Sequence, residues 1–174
     1  MAPKPEGLPF PVKLGGPFTL TDHTGTRRSE ADPNGRMQLL FFGYANCEAI
    51  CSVALPLMAE VTDTLREAGV DVQPVMVTVD PERDTSEAMG PALAKHHEDF
   101  VGLTGTEAEL AAVYDLYAVE KTIVFEDPLL GPIYAHGSHV YLLDAEGKFL
   151  TLLPPILSAD RVAEIAAAYA DPNS

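Results

Sequence analysis

The sequence has no tryptophan and only two cysteines among its 174 residues. Basic residues are also scarce, because 11 lysines and arginines stand against 26 aspartates and glutamates and give a formal charge of −15 at pH 7. Two cysteines cannot form the framework of a small disulfide-rich protein, and such an acidic chain is poorly suited to nucleic acid or anionic lipid. No run of about 20 apolar residues is present, so no segment is predicted to span a bilayer.

Hydrophobic residues make up 47% of the chain, which is typical of a globular protein, and the length suits one domain. The first 17 residues differ from the rest because they contain five prolines and three glycines. This composition is typical of an extended linker. We therefore predict a flexible tether over residues 1–17 and a single folded domain over residues 18–174.

The periodicity of apolar residues predicts the order of helices and strands. The predicted strands lie at 18–21, 27–29, 37–43, 72–79, 100–104, 119–125, 140–143 and 148–153, and the segment 127–137 is predicted to be a loop. Helices are predicted after Cys51, after Thr85 or Ser86, after Thr106 and after Ser158, and in the last three a serine or threonine is expected to be the N-cap. This order predicts an α/β, thioredoxin-like fold, with a central mixed sheet flanked by helices and an N-terminal hairpin extension.

The two cysteines, Cys47 and Cys51, lie between a predicted buried strand and a predicted helix. Four residues are about one helical turn, so both side chains are expected to point the same way. The start of a helix also favours thiolate over thiol. Two soft sulfurs of this kind suit Cu(I) or Zn(II), and they could also form a disulfide or simply be buried in the core.

Four blocks of the sequence together resemble the SCO/SenC family of copper-handling, thioredoxin-fold proteins associated with cytochrome oxidase assembly. The blocks are Phe42-Gly-Tyr44, Cys47-x-x-x-Cys51, Val79-Asp-Pro-Glu-Arg-Asp-Thr85, and His136 followed by Tyr141-Leu142. The resemblance runs from about Phe18 to Tyr169. It implies that one copper ion, Cu(I) or also Cu(II), is bound by Cys47, Cys51 and His136.

The resemblance also assigns a role to Asp80, which we expect to support the ligands or to recognise a partner without binding the metal itself. Three positions depart from the family pattern. Glu48 and Ser52 replace prolines that often follow the two cysteines, and Ala135 replaces an aspartate that often precedes the histidine. These departures are expected to alter affinity and redox behaviour while leaving the ligand set complete.

The other histidines are weaker candidates. His139 lies three residues after His136 and is expected to support or to replace it as a ligand. His23 is predicted to be a solvated residue in a hairpin turn, and His96 and His97 are predicted to end a helix, where an imidazolium suits the dipole.

The favoured function is a metallochaperone that delivers copper to a respiratory oxidase subunit, with another copper donor or a thiol reductant as a further partner. The alternative is a thiol-disulfide oxidoreductase, with Cys47 and Cys51 as its catalytic redox pair, that reduces the cysteines of the oxidase copper site. A redox or copper sensor is a third interpretation, and a structural zinc site would need a fourth protein ligand. By the resemblance, the protein is expected on the periplasmic or extracytoplasmic side of a membrane, held by an anchor that this chain does not contain.

Overall fold

The computed structural model describes residues 14–44, 51–119, 122–127, 131–135 and 139–170. It contains nine strands and four helices within those residues. The strands are β1 (Thr19–Asp22), β2 (Arg27–Ser29), β3 (Met37–Gly43), β4 (Val72–Thr78), β5 (Val101–Thr104), β6 (Thr122–Asp127), β7 (Gly131–Ala135), β8 (Val140–Leu143) and β9 (Phe149–Leu153). The helices are α1 (Cys51–Glu67), α2 (Ser86–Ala94), α3 (Glu107–Leu116) and α4 (Ala159–Ala170). None of the described helices is long and apolar enough to cross a membrane.

Seven strands form one mixed sheet in the order β2-β1-β5-β4-β3-β8-β9. At its centre, β4 pairs in parallel with both β3 and β5. At one side, β8 is antiparallel to β3, and β9 is antiparallel to β8. The central strands are buried on both faces, which agrees with their continuous apolar sequences. The predicted thioredoxin-like α/β fold and its N-terminal hairpin are confirmed.

The sheet separates two hydrophobic clusters. One face packs against α1, α2 and α4 and includes Phe41, Met58 and Met76. The other face packs against α3 and includes Phe42, Tyr117 and Tyr141. Alternation along each strand sends successive side chains to opposite clusters, as it does for Leu142 and Tyr141.

The helices begin where the capping residues predict. The side chain of Thr85 accepts a hydrogen bond from the amide of Ala88, and that of Thr106 accepts one from Glu109. At the start of α4, the Ser158 hydroxyl accepts from the amide of Arg161 at 3.2 Å. Each cap satisfies an amide that the helix itself leaves without a partner.

One part of the predicted topology is wrong. Residues 131–135, predicted as part of a loop, form β7, which pairs antiparallel with β6 as a separate two-stranded ribbon. Proline is compatible with an edge strand, and both strands of an isolated ribbon are edges, so Pro132 can lie opposite Glu126. The other strand of the ribbon was predicted at 119–125 and is observed at Thr122–Asp127.

The chain is already attached to the domain at the end of the predicted tether. Gly15 donates its amide to the carbonyl of Leu116, and the amide of Phe18 donates to a carboxylate oxygen of Glu30 at 3.1 Å. Gly15 has φ = +84°, and a Cβ on Gly16 would lie 2.8 Å from the Leu116 side chain, so both positions favour glycine. Residues 1–13 of the predicted tether lie outside the described residues, and the division at residue 17 stays a prediction.

A polar network closes the edge of the sheet at which β3 and β4 begin, which we call the amino edge. The buried Asp32 carboxylate accepts hydrogen bonds from Arg28 and from the backbone and side chain of Arg36. Arg36 also donates to Gln73 of β4, and Gln38 of β3 donates to the carbonyls of Glu30 and Asp144. The network therefore joins the β2–β3 connection, β3, β4 and the β8–β9 turn.

Candidate metal centre

The candidate centre lies at the opposite edge, which we call the carboxyl edge because β3, β4 and β5 end there. Gly43 is the last residue of β3, and α1 begins at Cys51. Cys51 is therefore the first residue of a 17-residue helix, where unpaired amides and the helix dipole favour an anionic sulfur. This confirms the predicted junction between strand and helix. Cys47 lies outside the described residues, so the predicted proximity of the two sulfurs stays a prediction.

Asp80 is placed beside the end of β3 by the pairing of two parallel strands. Gly43 is in register with Thr78 of β4, and the amide of Val79 donates to the Gly43 carbonyl at 2.8 Å. The side chain of Asp80 is buried, and its Oδ2 lies 2.8 Å from Nε of Arg83. Asp80 therefore lies at this edge with its carboxylate paired to Arg83, and its predicted role in supporting the ligands or recognising a partner stays a prediction.

The turn that follows β4 is held by further buried polar groups. The Thr78 hydroxyl accepts from the amide of Asp80 at 2.9 Å and donates to the Asp84 carboxylate at 2.8 Å. The Thr78 carbonyl in turn accepts from the hydroxyl of Tyr114 on α3 at 2.6 Å. Because the turn has a satisfied polar interior, it gives the carboxyl edge a preorganised wall.

His139 is brought to the same edge from the other side of β3. It immediately precedes β8, and extending the observed register of β3 and β8 places it opposite Phe42. Its side chain is exposed. His136 lies outside the described residues and follows directly after Ala135, the last residue of β7. The assignment of His136 as a ligand stays a prediction, as does the supporting role of His139.

Two of the remaining histidines, His23 and His97, make hydrogen bonds away from this edge, whereas His96 is exposed just beyond α2. The helix that was predicted to reach His97 ends at Ala94. The His97 ring bonds Asp63 through Nε2 at 3.0 Å and accepts the amide of Asp99 at Nδ1. His23 lies in the turn between β1 and β2, as predicted, but it is half-buried and its Nδ1 accepts the amide of Gly102 of β5, so the predicted solvation is only partial.

Within the described residues, the candidate centre included, no three side chains of His, Cys, Asp or Glu form a group that could hold a metal ion. Met58 and Met76 are buried in the core, which agrees with their prediction as packing residues. The sequence reasoning missed the roles of Arg83, Asp84 and Tyr114. The run Asp80-Pro-Glu-Arg-Asp84 was the available signal, because an aspartate followed three residues later by arginine can close a turn with an ion pair.

Comparison with known proteins places this geometry in a family. A family model described as SCO1/SenC matches residues 7–171. An SCO2-like protein of Rickettsia conorii is 38% identical over 141 residues, which span 80% of this chain and 68% of that protein. The crystal structure of Arabidopsis thaliana ScoI with copper bound is 30% identical, covers 91% of this chain and 99% of that one, and has a TM-score of 0.83.

A more distant structure shares the fold. BsSco, a member of the Sco family of cytochrome c oxidase assembly proteins in which a disulfide switch was identified, is 22% identical with a TM-score of 0.67. The match covers 94% of this chain and 98% of BsSco. The thioredoxin-like sheet and its flanking helices are thus common to this chain, Arabidopsis ScoI and BsSco.

Proposed function

The chain belongs to the SCO1/SenC family, and we propose on that basis that it is a metallochaperone that carries copper to a subunit of a respiratory oxidase. Cys47, Cys51 and His136 hold the copper in this proposal. The main supporting observation is that the carboxyl edge brings together the start of α1, the buried Asp80 turn and the start of β8. The copper bound to Arabidopsis ScoI and the oxidase assembly role of the Sco family support the choice of cargo and recipient.

The three proposed ligands are chemically suited to copper. Two thiolates and one imidazole are soft enough for Cu(I), and three ligands leave a coordination position for a sulfur or nitrogen of the recipient. Cu(II) would take a further nitrogen or oxygen donor, a place that His139 could fill. The chain contributes a helix start that favours thiolate at Cys51 and an Arg83 guanidinium fixed by Asp80 beside the edge.

The decisive experiment is a titration of the reduced protein with Cu(I) against a competing chelator. We expect His136→Ala to lower the affinity by more than about 100-fold, beyond the range for losing a supporting residue. His96→Ala is the matched control, because His96 is exposed and lies beyond the end of α2, away from the edge. Equal affinities in the two variants would remove His136 from the ligand set.

Thiol-disulfide exchange is the second candidate function, supported by a cysteine at the start of a helix in a thioredoxin-like fold. One thiolate attacks a substrate disulfide, the second cysteine displaces the substrate thiolate, and the chain ends oxidised as a Cys47–Cys51 disulfide. An external thiol reductant must then supply two electrons to reset it. Weak copper binding that does not need His136, together with rapid reduction of a disulfide substrate, would favour this activity over delivery.

The proposed location is the extracytoplasmic side of a membrane, with an anchor in the full-length protein. Copper loading and delivery to a membrane-embedded oxidase both take place there in this proposal. The acidic composition of the chain and the prolines and glycines of its first 17 residues are compatible with a domain that is held near a membrane by a linker and does not bind anionic lipid. Fractionation of cells that express the full-length protein tests this location.

A further inference from the structure

The turn that joins β2 to β3 contains an asparagine followed by a glycine. Asn34 and Gly35 end the sequence Asp32-Pro-Asn-Gly35, and the amide of Gly35 donates to the carbonyl of Asp32 at 3.1 Å. This order of residues is one that type I turns favour. Of the three asparagines in the chain, Asn34 is the one that precedes a glycine.

The side chain of Asn34 is not held in place. It is exposed, and within the described residues no hydrogen bond or ion pair holds its carboxamide. The backbone nitrogen of Gly35 is unshielded as well, because glycine has no Cβ. The position that a Cβ on Gly35 would occupy has no other atom within 4 Å. The carboxamide and the following nitrogen therefore meet few steric obstacles.

One hydrogen bond opposes a reaction between these two groups. The nitrogen of Gly35 can attack only when its bond to the Asp32 carbonyl is open, and at 3.1 Å that bond lies at the long end of the usual range. Turns on the surface open locally at a low free energy compared with global unfolding. The turn should therefore slow the reaction relative to a free peptide without preventing it.

We propose that Asn34 is a site of spontaneous deamidation, at which water is the only co-reactant. The nitrogen of Gly35 bonds to Cγ of Asn34, the Cγ–Nδ2 bond breaks, and Nδ2 leaves as ammonia with the proton that Gly35 loses. Water then opens the resulting succinimide ring. Opening at Cγ gives aspartate, and opening at the main-chain carbonyl carbon gives isoaspartate.

The two products change the turn in different ways. Each replaces a neutral carboxamide with a carboxylate and adds one negative charge to the formal charge of −15. In isoaspartate the main chain also runs through Cβ and Cγ, so it is longer by one carbon between residues 34 and 35. Only this product alters the length of the turn.

The turn is part of the amino edge, so its length matters there. Arg36 directly follows the turn, and its amide and Nε donate to the Asp32 carboxylate at 2.9 and 3.0 Å. The amide of Asp32 donates to the carbonyl of Ala145 at 2.9 Å. An additional main-chain atom between Asp32 and Arg36 would separate the two partners. Isoaspartate should therefore weaken the network, whereas aspartate should preserve it.

The test follows the wild-type protein at pH 8 and 37 °C beside a synthetic peptide of residues 29–36. Trypsin releases the same peptide from the protein, because Arg28 and Arg36 border it, so one mass measurement serves both samples. We expect both products in the protein, formed about tenfold more slowly than in the peptide. A protein that is still unmodified when the peptide has reacted completely would overturn the proposal.

Gly35→Ala is the control for the attacking nitrogen. Its methyl group should hinder the attack and slow the conversion by about fivefold or more. Because φ is +71° at this position, alanine is strained there and should also lower the urea midpoint. Conversion at the wild-type rate in this variant, or aspartate formed without isoaspartate, would overturn the succinimide route.

Asn34→Asp is the control for charge, because it carries the new carboxylate on a main chain of normal length. Its urea midpoint should match that of the wild type. The isoaspartate form, separated by ion exchange and identified with an isoaspartate methyltransferase, should unfold at a lower urea concentration. Equal midpoints for the two forms would overturn the link to the amino edge. No step of this inference depends on copper, so the Cu(I) titration tests the proposed function separately.

Discussion

The two edges of the sheet differ in which side chains they bury and which they leave exposed. At the amino edge, the Asp32 carboxylate is fully buried between Arg28 and Arg36, and the network ties four segments of the chain together. At the carboxyl edge, the buried polar groups of the Asp80 turn lie beneath a surface that keeps apolar and acidic side chains exposed. From this comparison we predict that the stability of the fold depends more on the amino edge, and that substitutions at the carboxyl edge affect the proposed copper binding more than they affect stability.

Among the substitutions predicted here, removal of the Asp32 carboxylate should cause the largest loss of stability, because it disrupts the polar network of the amino edge. Asp32→Ala leaves two arginines without their shared partner, and we expect the free energy of unfolding to fall by about 3–5 kcal/mol. Urea denaturation measures this change. Asp71→Ala is the control, because Asp71 is exposed and lies 3.9 Å from Arg66, and it should cost less than about 1 kcal/mol. Similar losses in both variants would contradict the assigned importance of the network.

At the carboxyl edge, Asp80→Asn should have a smaller effect on stability and a larger one on copper. The substitution keeps the size of the side chain but removes the charge that holds Arg83 at 2.8 Å. We expect a loss of about 1–2 kcal/mol in unfolding free energy and about tenfold in Cu(I) affinity. Glu82→Gln, an exposed neighbour, should change neither quantity. Unchanged Cu(I) affinity in Asp80→Asn would restrict Asp80 to support of the fold.

At low pH, the amino edge should lose the stabilising contribution of Asp32. Burial alone would raise the pKa of Asp32, but the hydrogen bonds and positive charges of Arg36 and Arg28 outweigh it and hold the pKa below its usual value. A carboxyl group with a lowered pKa in the folded state stabilises the protein above its unfolded pKa, and that contribution is lost as the pH falls through the folded value.

The measurement is unfolding free energy between pH 7 and pH 3 in the wild type and in Asp32→Asn. The wild type should have the higher unfolding free energy at pH 7. This difference should disappear as the pH falls below about 4, near the ordinary pKa of aspartate. Parallel curves for the two proteins over the whole range would contradict the assignment to Asp32.

The smallest effect concerns a polar atom that the packing leaves unsatisfied. The hydroxyl of Tyr117, the C-cap of α3, is buried and has no hydrogen-bond partner among the described residues, and burial together with the charge of Glu30 raises its pKa. Tyr117→Phe should therefore change the unfolding free energy by less than about 0.5 kcal/mol or increase it. Tyr141→Phe is the contrast, since it removes a hydrogen bond to the Tyr117 carbonyl and should cost about 1 kcal/mol in thermal or urea unfolding.

The sequence predicted those parts of the fold in which local pattern and tertiary environment agree. Strand β3 was predicted with its observed bounds, and Thr85, Thr106 and Ser158 cap the helices as expected. These features depend on short apolar runs and on single capping side chains. The ribbon β6–β7 was missed because its glycine and proline resemble a loop, and only pairing with β6 makes a strand of that segment.

The candidate site was predictable to a lesser extent. The start of α1 at Cys51 followed from the local pattern, whereas the ion pair of Asp80 with Arg83 and the contact of Tyr114 with Thr78 depend on how distant elements pack. His23 shows the same limit, since its hydrogen bond to Gly102 joins residues 79 positions apart. The ligand set of Cys47, Cys51 and His136 derives from the family resemblance and awaits the copper titration.

The separate ribbon bears on how the proposed centre is built. Within the described residues, β7 pairs with β6 alone and not with the seven-stranded sheet, and His136 comes directly after the end of β7. The proposed imidazole ligand and the proposed sulfur ligand at Cys51 therefore belong to different substructures, since Cys51 begins a helix that packs on the main sheet. In the proposed function, the strand pairing of the main sheet alone does not determine the geometry of the ligand set.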